Sequence, residues 1–263
     1  MSRSSFTVPE GFRAEILDKV DSTNSEALRR AQQNEIPGLW ILARKQSQGR
    51  GREGRRWISN SGNLTTSLLL RPQTSLMTAL QLSFVAGLAL HRCLAVILEN
   101  TDSAADVSLK WPNDVLINNR KVAGILLESI TGRQDQSPYI AIGIGINVLN
   151  HPQDHNIQAT DLSCYKRDLS ISTIFEQLAI SMDELLKIWN TGEGFEAVRR
   201  LWLEVAHKPG EYLTVKNGQK QTGGYFETID QEGALRLKLK SGQIERILVG
   251  DVYFENVRSG KLI

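Results

Sequence analysis

Residues 139–148 read Tyr139-Ile140-Ala141-Ile142-Gly143-Ile144-Gly145-Ile146-Asn147-Val148. The run predicts a β-strand, and alternation places Gly143 and Gly145 on one face. Glycine weakens a strand interior, so two on one face imply a close approach there by a ligand or another backbone, or tight packing of a helix on the sheet. Upstream, Val107–Trp111 and Val122–Leu127 predict two more strands. Val115–Ile117 is placed to pair with the latter across a turn holding Asn118 and Asn119. Farther back, Leu39–Ala43 and Leu64–Leu70 read as strands, and Leu76–Leu98 as one long, mostly buried helix. Thr23 followed by Glu26 predicts a capping box, with Ala27, Leu28 and Ala31 forming one apolar face of the helix behind it.

Downstream, residues 150–168 are polar and irregular, and helices are expected at Ile171–Trp189 and Glu193–Ala206. After Pro209-Gly210 the pattern is β-prone only: Glu211–Lys216, Gly224–Thr228, Ala234–Leu239 and Glu245–Val249. These runs are separated by the turn signals Asn217-Gly218, Gln231-Glu232-Gly233 and Ser241-Gly242. The fold class expected is therefore α/β (α+β): a mixed-sheet domain over 1–208, then a small SH3-like barrel over 209–263.

With 31 basic and 29 acidic residues among 263, the net charge is +2, so any attraction to nucleic acid or membrane must be local. Cys93 and Cys164 form no paired motif. Met1–Glu10 lacks the apolar centre of a secretion signal. Gln81, His91 and Arg92 interrupt the most apolar region too often for a bilayer span. A cytoplasmic location is expected.

The most unusual stretch is Arg44–Trp57. Arg44, Lys45, Arg50, Arg52, Arg55 and Arg56 face one acid, Glu53, a local +5. Mutual repulsion and the backbone freedom of Gly49, Gly51 and Gly54 predict a poorly ordered loop until an anion neutralises it. The three glycines match a dinucleotide fingerprint, but a turn cluster, Ser59–Asn63, follows where that motif needs a helix. A solvated basic loop or nucleic-acid patch is the second reading. The third is a phosphate-covering loop, with Arg50 and Arg52 as bidentate donors and Trp57 as an aromatic face.

Lys110-Trp111-Pro112-Asn113-Asp114 ends a strand, which places Lys110 at a sheet edge where it can neutralise charge developing on a phosphate and a carboxylate; the same residues also make a good turn. Gly124, within Lys121–Leu126, either leaves room for a ligand or marks a bulge. Asp21-Ser22-Thr23-Asn24 suits a helix cap, whose spare groups can hold a small polar ring. His151 and His155 lie four apart, but Pro152 argues against the helix that would make them a metal pair.

In this order, Ser22-Thr23-Asn24, Gln46, Gly49-Arg50-Gly51-Arg52-x-Gly54-Arg55-x-Trp57, Lys110-Trp111-Pro112-Asn113-Asp114, Gly124-Ile125-Leu126 and Gly143-x-Gly145-x-Asn147 resemble the biotin–protein ligase family over nearly the whole chain. The resemblance implies a class II synthetase-like catalytic domain that makes biotinyl-5′-AMP from biotin and ATP, then transfers biotin to a lysine of a biotin carboxyl carrier protein. It assigns biotin to Ser22, Thr23, Asn24, Gln46, Gly49, Arg50, Gly51, Arg52, Lys110, Gly124, Gly143 and Gly145. Arg50, Arg52, Trp57, Lys110 and Asn147 fall to the nucleotide, with Lys110 and Arg50 as catalytic residues. Mg2+ would ride on the ATP phosphates, with no tightly bound protein metal.

Some members of that family carry an extra N-terminal DNA-binding domain. Only 21 residues precede Ser22, too few to house one, so no specific nucleic acid and no membrane is expected as a partner. A homodimer is compatible with the sequence. A lipoate–protein ligase is the nearest alternative, and the chain lacks the Gly-Gly-Gly stretch ending in histidine expected there. A non-catalytic biotin-binding regulator is the other, and Lys110 argues against it.

Overall fold

The structure, a computed structural model, describes residues 6–99, 101, 104–131, 137–153, 158–206 and 208–254. Its first sheet contains β1 (Arg13–Leu17), β2 (Leu39–Ala43), β3 (Leu64–Leu70), β4 (Val107–Lys110), β5 (Asp114–Ile117), β6 (Arg120–Ile130) and β7 (Tyr139–Ile146). Their spatial order is β1-β2-β3-β7-β6-β5-β4. β1 runs parallel to β2 and the other described neighbours are antiparallel, so the sheet is mixed, as expected. β5 and β6 form the expected hairpin, with Asn118 and Asn119 at φ 50° and 62° in its turn.

The faces of this sheet follow the alternation of β7. Ile140, Ile142, Ile144 and Ile146 are buried in the main core, which they share with α3 (Leu82–Ile97) and α4 (Ile171–Trp189). Ala141 points the other way, where α1 (Thr23–Gln32) sets Ala27 and Ala31 against Leu39, Ile41, Leu69 and Ala141. Small residues on both sides let α1 lie close to the sheet.

Several expectations need correction. The long helix at Leu76–Leu98 is broken into α2 (Leu76–Ala79) and α3, because i→i+3 bonds such as Gln81 N–H to Thr78 O replace helical ones at Leu80–Gln81. By length and apolarity Leu76–Ile97 does suffice to cross a bilayer, against the sequence reading. Eleven residues of α3 are instead buried inside the protein. Ser22, not Thr23, is the N-cap of α1, and no side-chain cap bond forms there. Glu26 is drawn away to Arg29 and Arg30. Strand β1 was not expected at all.

After α5 (Phe195–Glu204) comes a second, antiparallel sheet of β8 (Tyr212–Asn217), β9 (Lys220–Ile229), β10 (Leu235–Lys238), β11 (Ile244–Ile247) and β12 (Asp251–Phe254), in the order β11-β10-β9-β8-β12. β12 adds a strand to the expected set. The two sheets are joined at named points. Arg199 Nη1 donates to Ile229 O (2.8 Å), and a Cβ on Gly233 would stand 2.8 Å from the Phe84 ring. Trp111, 3 % exposed, donates Nε1–H to Gly233 O at 3.1 Å. Trp111 thus holds the second sheet against the strand end that carries Lys110. Trp111→Phe removes the N–H donor and shortens the ring system, leaving a buried carbonyl unpaired beside a small void, so it should lower stability by at least about 1–3 kcal/mol. Urea unfolding checks this, and a loss below about 0.5 kcal/mol would show that the carbonyl finds another donor.

Candidate active site

Between the sheets lies a cleft of about 1150 Å3, lined by the non-isoleucine face of β7 and its neighbours and by Tyr212, Val252 and Tyr253 of the second sheet. Strand register builds its floor. Thr65, Gly145, Gly124 and Asp114 stand in one row across β3-β7-β6-β5, and Ser67, Gly143 and Leu126 in the next. The close approach implied by the glycines is real, and side chains make it. A Cβ on Gly143 would meet Asn24 Oδ1 at 2.5 Å, and one on Gly145 would meet the Trp57 ring at 2.4 Å. Gly124 also touches Trp57, with Lys121 on its other side. Trp57 therefore lies across the paired glycines 124 and 145.

At one end of the floor the start of α1 presents a buried polar set. Ser22, Thr23 and Asn24 are each at most 4 % exposed. Gln46 Oε1 accepts from Thr23 N–H (2.8 Å) and lies 3.1 Å from Thr23 Oγ1, and Gln46 Nε2 donates to Ser59 Oγ (2.8 Å). Ser67 Oγ lies 2.7 Å from Thr23 Oγ1 and 2.6 Å from Asn24 Oδ1. Asn24 Nδ2 donates to Leu126 O (3.1 Å) and to Glu128 Oε2 (2.8 Å).

The basic loop covers the cleft from the start of α1 to the second sheet. Its expected lack of partners is corrected: carboxylates far away in sequence neutralise it. Glu128 takes Arg50 Nη2 at 2.9 Å and Nε at 3.1 Å, while Arg50 Nη1 donates to Ser25 Oγ (2.8 Å). Asp251 on β12 takes Arg55 Nη2 at 2.8 Å and stands 3.6 Å from Arg52 Nη1, which also donates to Gly250 O (3.1 Å). Arg52–Gly54 makes a single 3-10 turn with Glu53 and Gly54 at positive φ. The donors of Arg50 are thus spent within the protein, whereas Arg52 sits at the cleft wall under the second sheet.

The cationic end contains a second lysine that the sequence reading passed over. Asp114 pairs with Lys110 Nζ (3.0 Å) and with Lys121 Nζ (2.5 Å). Burial alone would raise the pKa of Asp114, but the two ammonium groups outweigh it and hold the carboxyl at about 2. Lys121 also stands 5.7 Å from the centre of a Trp57 ring. Asp114 therefore gathers two positive charges at one point of the floor, beside Gly124.

Of the residues singled out in the sequence, Ser22, Thr23, Asn24, Gln46, Arg50, Gly51, Arg52, Trp57, Lys110, Gly124, Gly143, Gly145 and Asn147 line this one cleft. Gly49 does not; a Cβ there would meet Trp57 O at 2.6 Å, so it serves the packing of the loop. Asn147 Nδ2 donates to Thr160 O (3.0 Å), tying the end of β7 to the next segment. His155 lies outside the described residues. His151 is not helical, and its Nδ1 meets Asp161 Oδ2 at 2.6 Å, with Cys164 close by. Burial raises the pKa of Asp161, but Ser163, His151 and Cys164 together bring it below the ordinary value, so the cluster is a well-satisfied carboxylate.

Residues 17–147 match the biotin/lipoate A/B protein ligase family, and residues 210–255 match the biotin protein ligase C-terminal domain. The chain is 38 % identical to a biotin–[acetyl-CoA-carboxylase] ligase of Paracoccus denitrificans, over 91 % of this chain and 99 % of that protein. It is 30 % identical to the bifunctional ligase/repressor BirA of Bacillus subtilis, over 92 % of this chain and 76 % of that one. The biotin protein ligase of Aquifex aeolicus in complex with biotin and ATP superposes with a TM-score of 0.75, at 29 % identity, over 92 % of this chain and 97 % of that chain.

The Asp114 pair gives a pH signature. A carboxyl held at about 2 when folded, against an ordinary 3.8, contributes stability above 3.8 that disappears as the pH falls toward 2. Asp114→Asn should therefore cost most near neutrality, and the wild-type advantage should shrink through that window. Urea unfolding across the range checks it; a constant difference would assign the loss to packing alone.

Proposed function

The chain belongs to the biotin/lipoate A/B protein ligase family, and from that premise we propose that it is an ATP-dependent biotin–protein ligase acting through biotinyl-5′-adenylate. The observation that carries this reading is the polarity of the single cleft: a neutral hydrogen-bonding end at Ser22–Asn24 and Gln46, a floor of small residues, and a cationic end at Lys110, Lys121 and Arg52. A ureido ring fits the first, a thin acyl chain the second, and a carboxylate meeting a phosphate the third.

In the first step a carboxylate oxygen of biotin forms a bond to the α-phosphorus of ATP while the bond to the pyrophosphate oxygen breaks. Positive charge fixed in advance at Lys110 and Lys121 offsets the negative charge that builds on the phosphoryl oxygens, with no reorganisation at the moment of reaction. Asp114 keeps both lysines at that spot. Trp57 and Asn147 border the nucleotide half, and Gly124, Gly143 and Gly145 let Trp57 and Asn24 lie flat against the sheet, which leaves the space above them to the ligand. ATP would enter as its Mg2+ complex, the ion carried on the phosphates.

In the second step the amine of a carrier lysine attacks the carbonyl carbon of the mixed anhydride and AMP leaves, the amine proton passing to solvent. The carrier proposed is a biotin carboxyl carrier protein, met in the cytoplasm. We assign residues 1–208 to the catalytic part and 209–263 to a second part, whose Tyr212, Val252 and Tyr253 line the cleft. The Arg52 loop shields the anhydride from water while the carrier docks.

Two measurements test the reading. Purified protein should exchange pyrophosphate into ATP only when biotin is present, and Lys110→Ala or Lys121→Ala should lower single-turnover adenylation roughly 10²-fold. Exchange without biotin, or none at all, would overturn the proposal. Arg52→Gly removes the contact with Gly250 and Asp251, so it should release adenylate and label lysines on an unrelated protein such as serum albumin. Unchanged selectivity in that assay would mean the loop is no lid.

A further inference from the structure

Outside the residues already placed, Glu128 on β6 has the densest set of polar partners bearing on the cleft, and no step of the reaction yet uses it. Its side chain is 27 % exposed and sits one row beyond Gly143, opposite Ala141. One oxygen takes the Asn24 amide and Arg50 Nη2, the other takes Arg50 Nε and Nη2. We propose that Glu128 is a positioning residue that orients the Asn24 amide at the biotin end and, through Arg50, fastens the basic loop to the same point.

The argument is one of donors and acceptors. An ionised carboxylate only accepts. It therefore demands the NH2 side of Asn24, as the Leu126 carbonyl beside it also does, and this turns Asn24 Oδ1 toward Ser67. Ser67 has one proton and must give it to Asn24 Oδ1, 2.6 Å away. Its oxygen is then free to accept only, so the Thr23 hydroxyl must donate, to Ser67 or to Gln46 Oε1. Gln46 is oriented separately, by the Thr23 backbone N–H that donates to its Oε1, which leaves its amide nitrogen toward Ser59. The carboxylate, together with the Leu126 carbonyl, thus sets the proton order of Asn24 and Ser67 and leaves the Thr23 hydroxyl to donate, three side chains that the ureido ring would have to match beside Gln46.

A surface ion pair alone would contribute little. Here the carboxylate also serves an amide on Asn24, which is 2 % exposed, and the guanidinium reaches Ser25 on α1. The geometry therefore ties three elements, α1, β6 and the loop, at one carboxylate. It also gives Arg50 a different task from the phosphate contact expected for it: its forks face Glu128 and Ser25.

This inference rests on biotin as the ligand, and its test separates the two claims. Glu128→Gln keeps the shape but can present a donor to Asn24 and loses the charge on Arg50. It should raise KM for biotin about tenfold, the effect of losing one charge-assisted hydrogen bond, with a much smaller change in kcat. Glu128→Asp, which keeps an acceptor-only ion, should recover most of that loss. In ligand-free protein, hydrogen exchange of residues 49–57 should be faster in Glu128→Gln than in wild type, a readout that needs no substrate. A KM for biotin within about two-fold of wild type, or an Asp variant no better than the Gln variant, would sink the proposal. Wild type without biotin-dependent exchange would instead remove the ligand assignment, and the exchange rates of the loop would still decide whether Glu128 holds it.

Discussion

The alternation of β7 is the constraint on which the rest of the molecule depends. Four isoleucines on one face can be buried only against helices, and α3 and α4 meet them there. The same alternation leaves Ala141, Gly143, Gly145 and Asn147 to the opposite face, too small to fill the space above them. That face cannot be closed by its own side chains, so it becomes a floor onto which other elements reach: Asn24 from α1, Trp57 from the loop, Tyr212 and Val252 from the second sheet. A one-residue slip of β7 would exchange core and floor. Core and cleft are thus two results of one pattern, and neither can be altered alone.

Charges around the floor are arranged in small, separate groups, each with its own partner. Asp114 gathers Lys110 and Lys121, Glu128 holds Arg50, and Asp251 holds Arg55 and stands beside Arg52. Partly buried positive charge is tolerable only with such partners. A ligand phosphate entering this region meets cations that are already in place and already oriented, which is the condition for stabilising charge without rearrangement. Arg52 is the most weakly tied of the three arginines to a carboxylate, at 3.6 Å, and its Nη1 is held by Asn113 Oδ1 and Gly250 O instead.

Much of this was legible in the sequence, for identifiable reasons. β7, β3, the β5–β6 hairpin and the change of pattern after Pro209 each carry a local signal: alternation, glycine spacing or turn residues. β1 carried none, since Arg13–Leu17 is half polar and owes its extension to parallel pairing with the buried Leu39–Ala43. The cap of α1 was misplaced by one residue because Thr23 turns its hydroxyl to Ser67 and Gln46, contacts made 44 and 23 positions away. The basic loop was read as unneutralised because a count over neighbours contains only Glu53. Glu128 and Asp251 lie 78 and 196 residues from the arginines they hold, and only the folded chain brings them near. Lys121 was in view but carried no weight until the hairpin set it beside Asp114.

Asp251 has a consequence for how the two parts of the chain can change. The carboxylate that secures Arg55 and flanks Arg52 belongs to the last strand of the second sheet, not to the sheet that bears the cleft. The C-terminal segment is therefore no interchangeable cassette. A replacement without an acid at the place of Asp251 would leave Arg52 and Arg55 without their carboxylate, and the loop would be held by Arg50 and Glu128 at its other end. The loop and the tail form one inherited unit interrupted by roughly two hundred residues of scaffold, and substitutions in either are judged by the other.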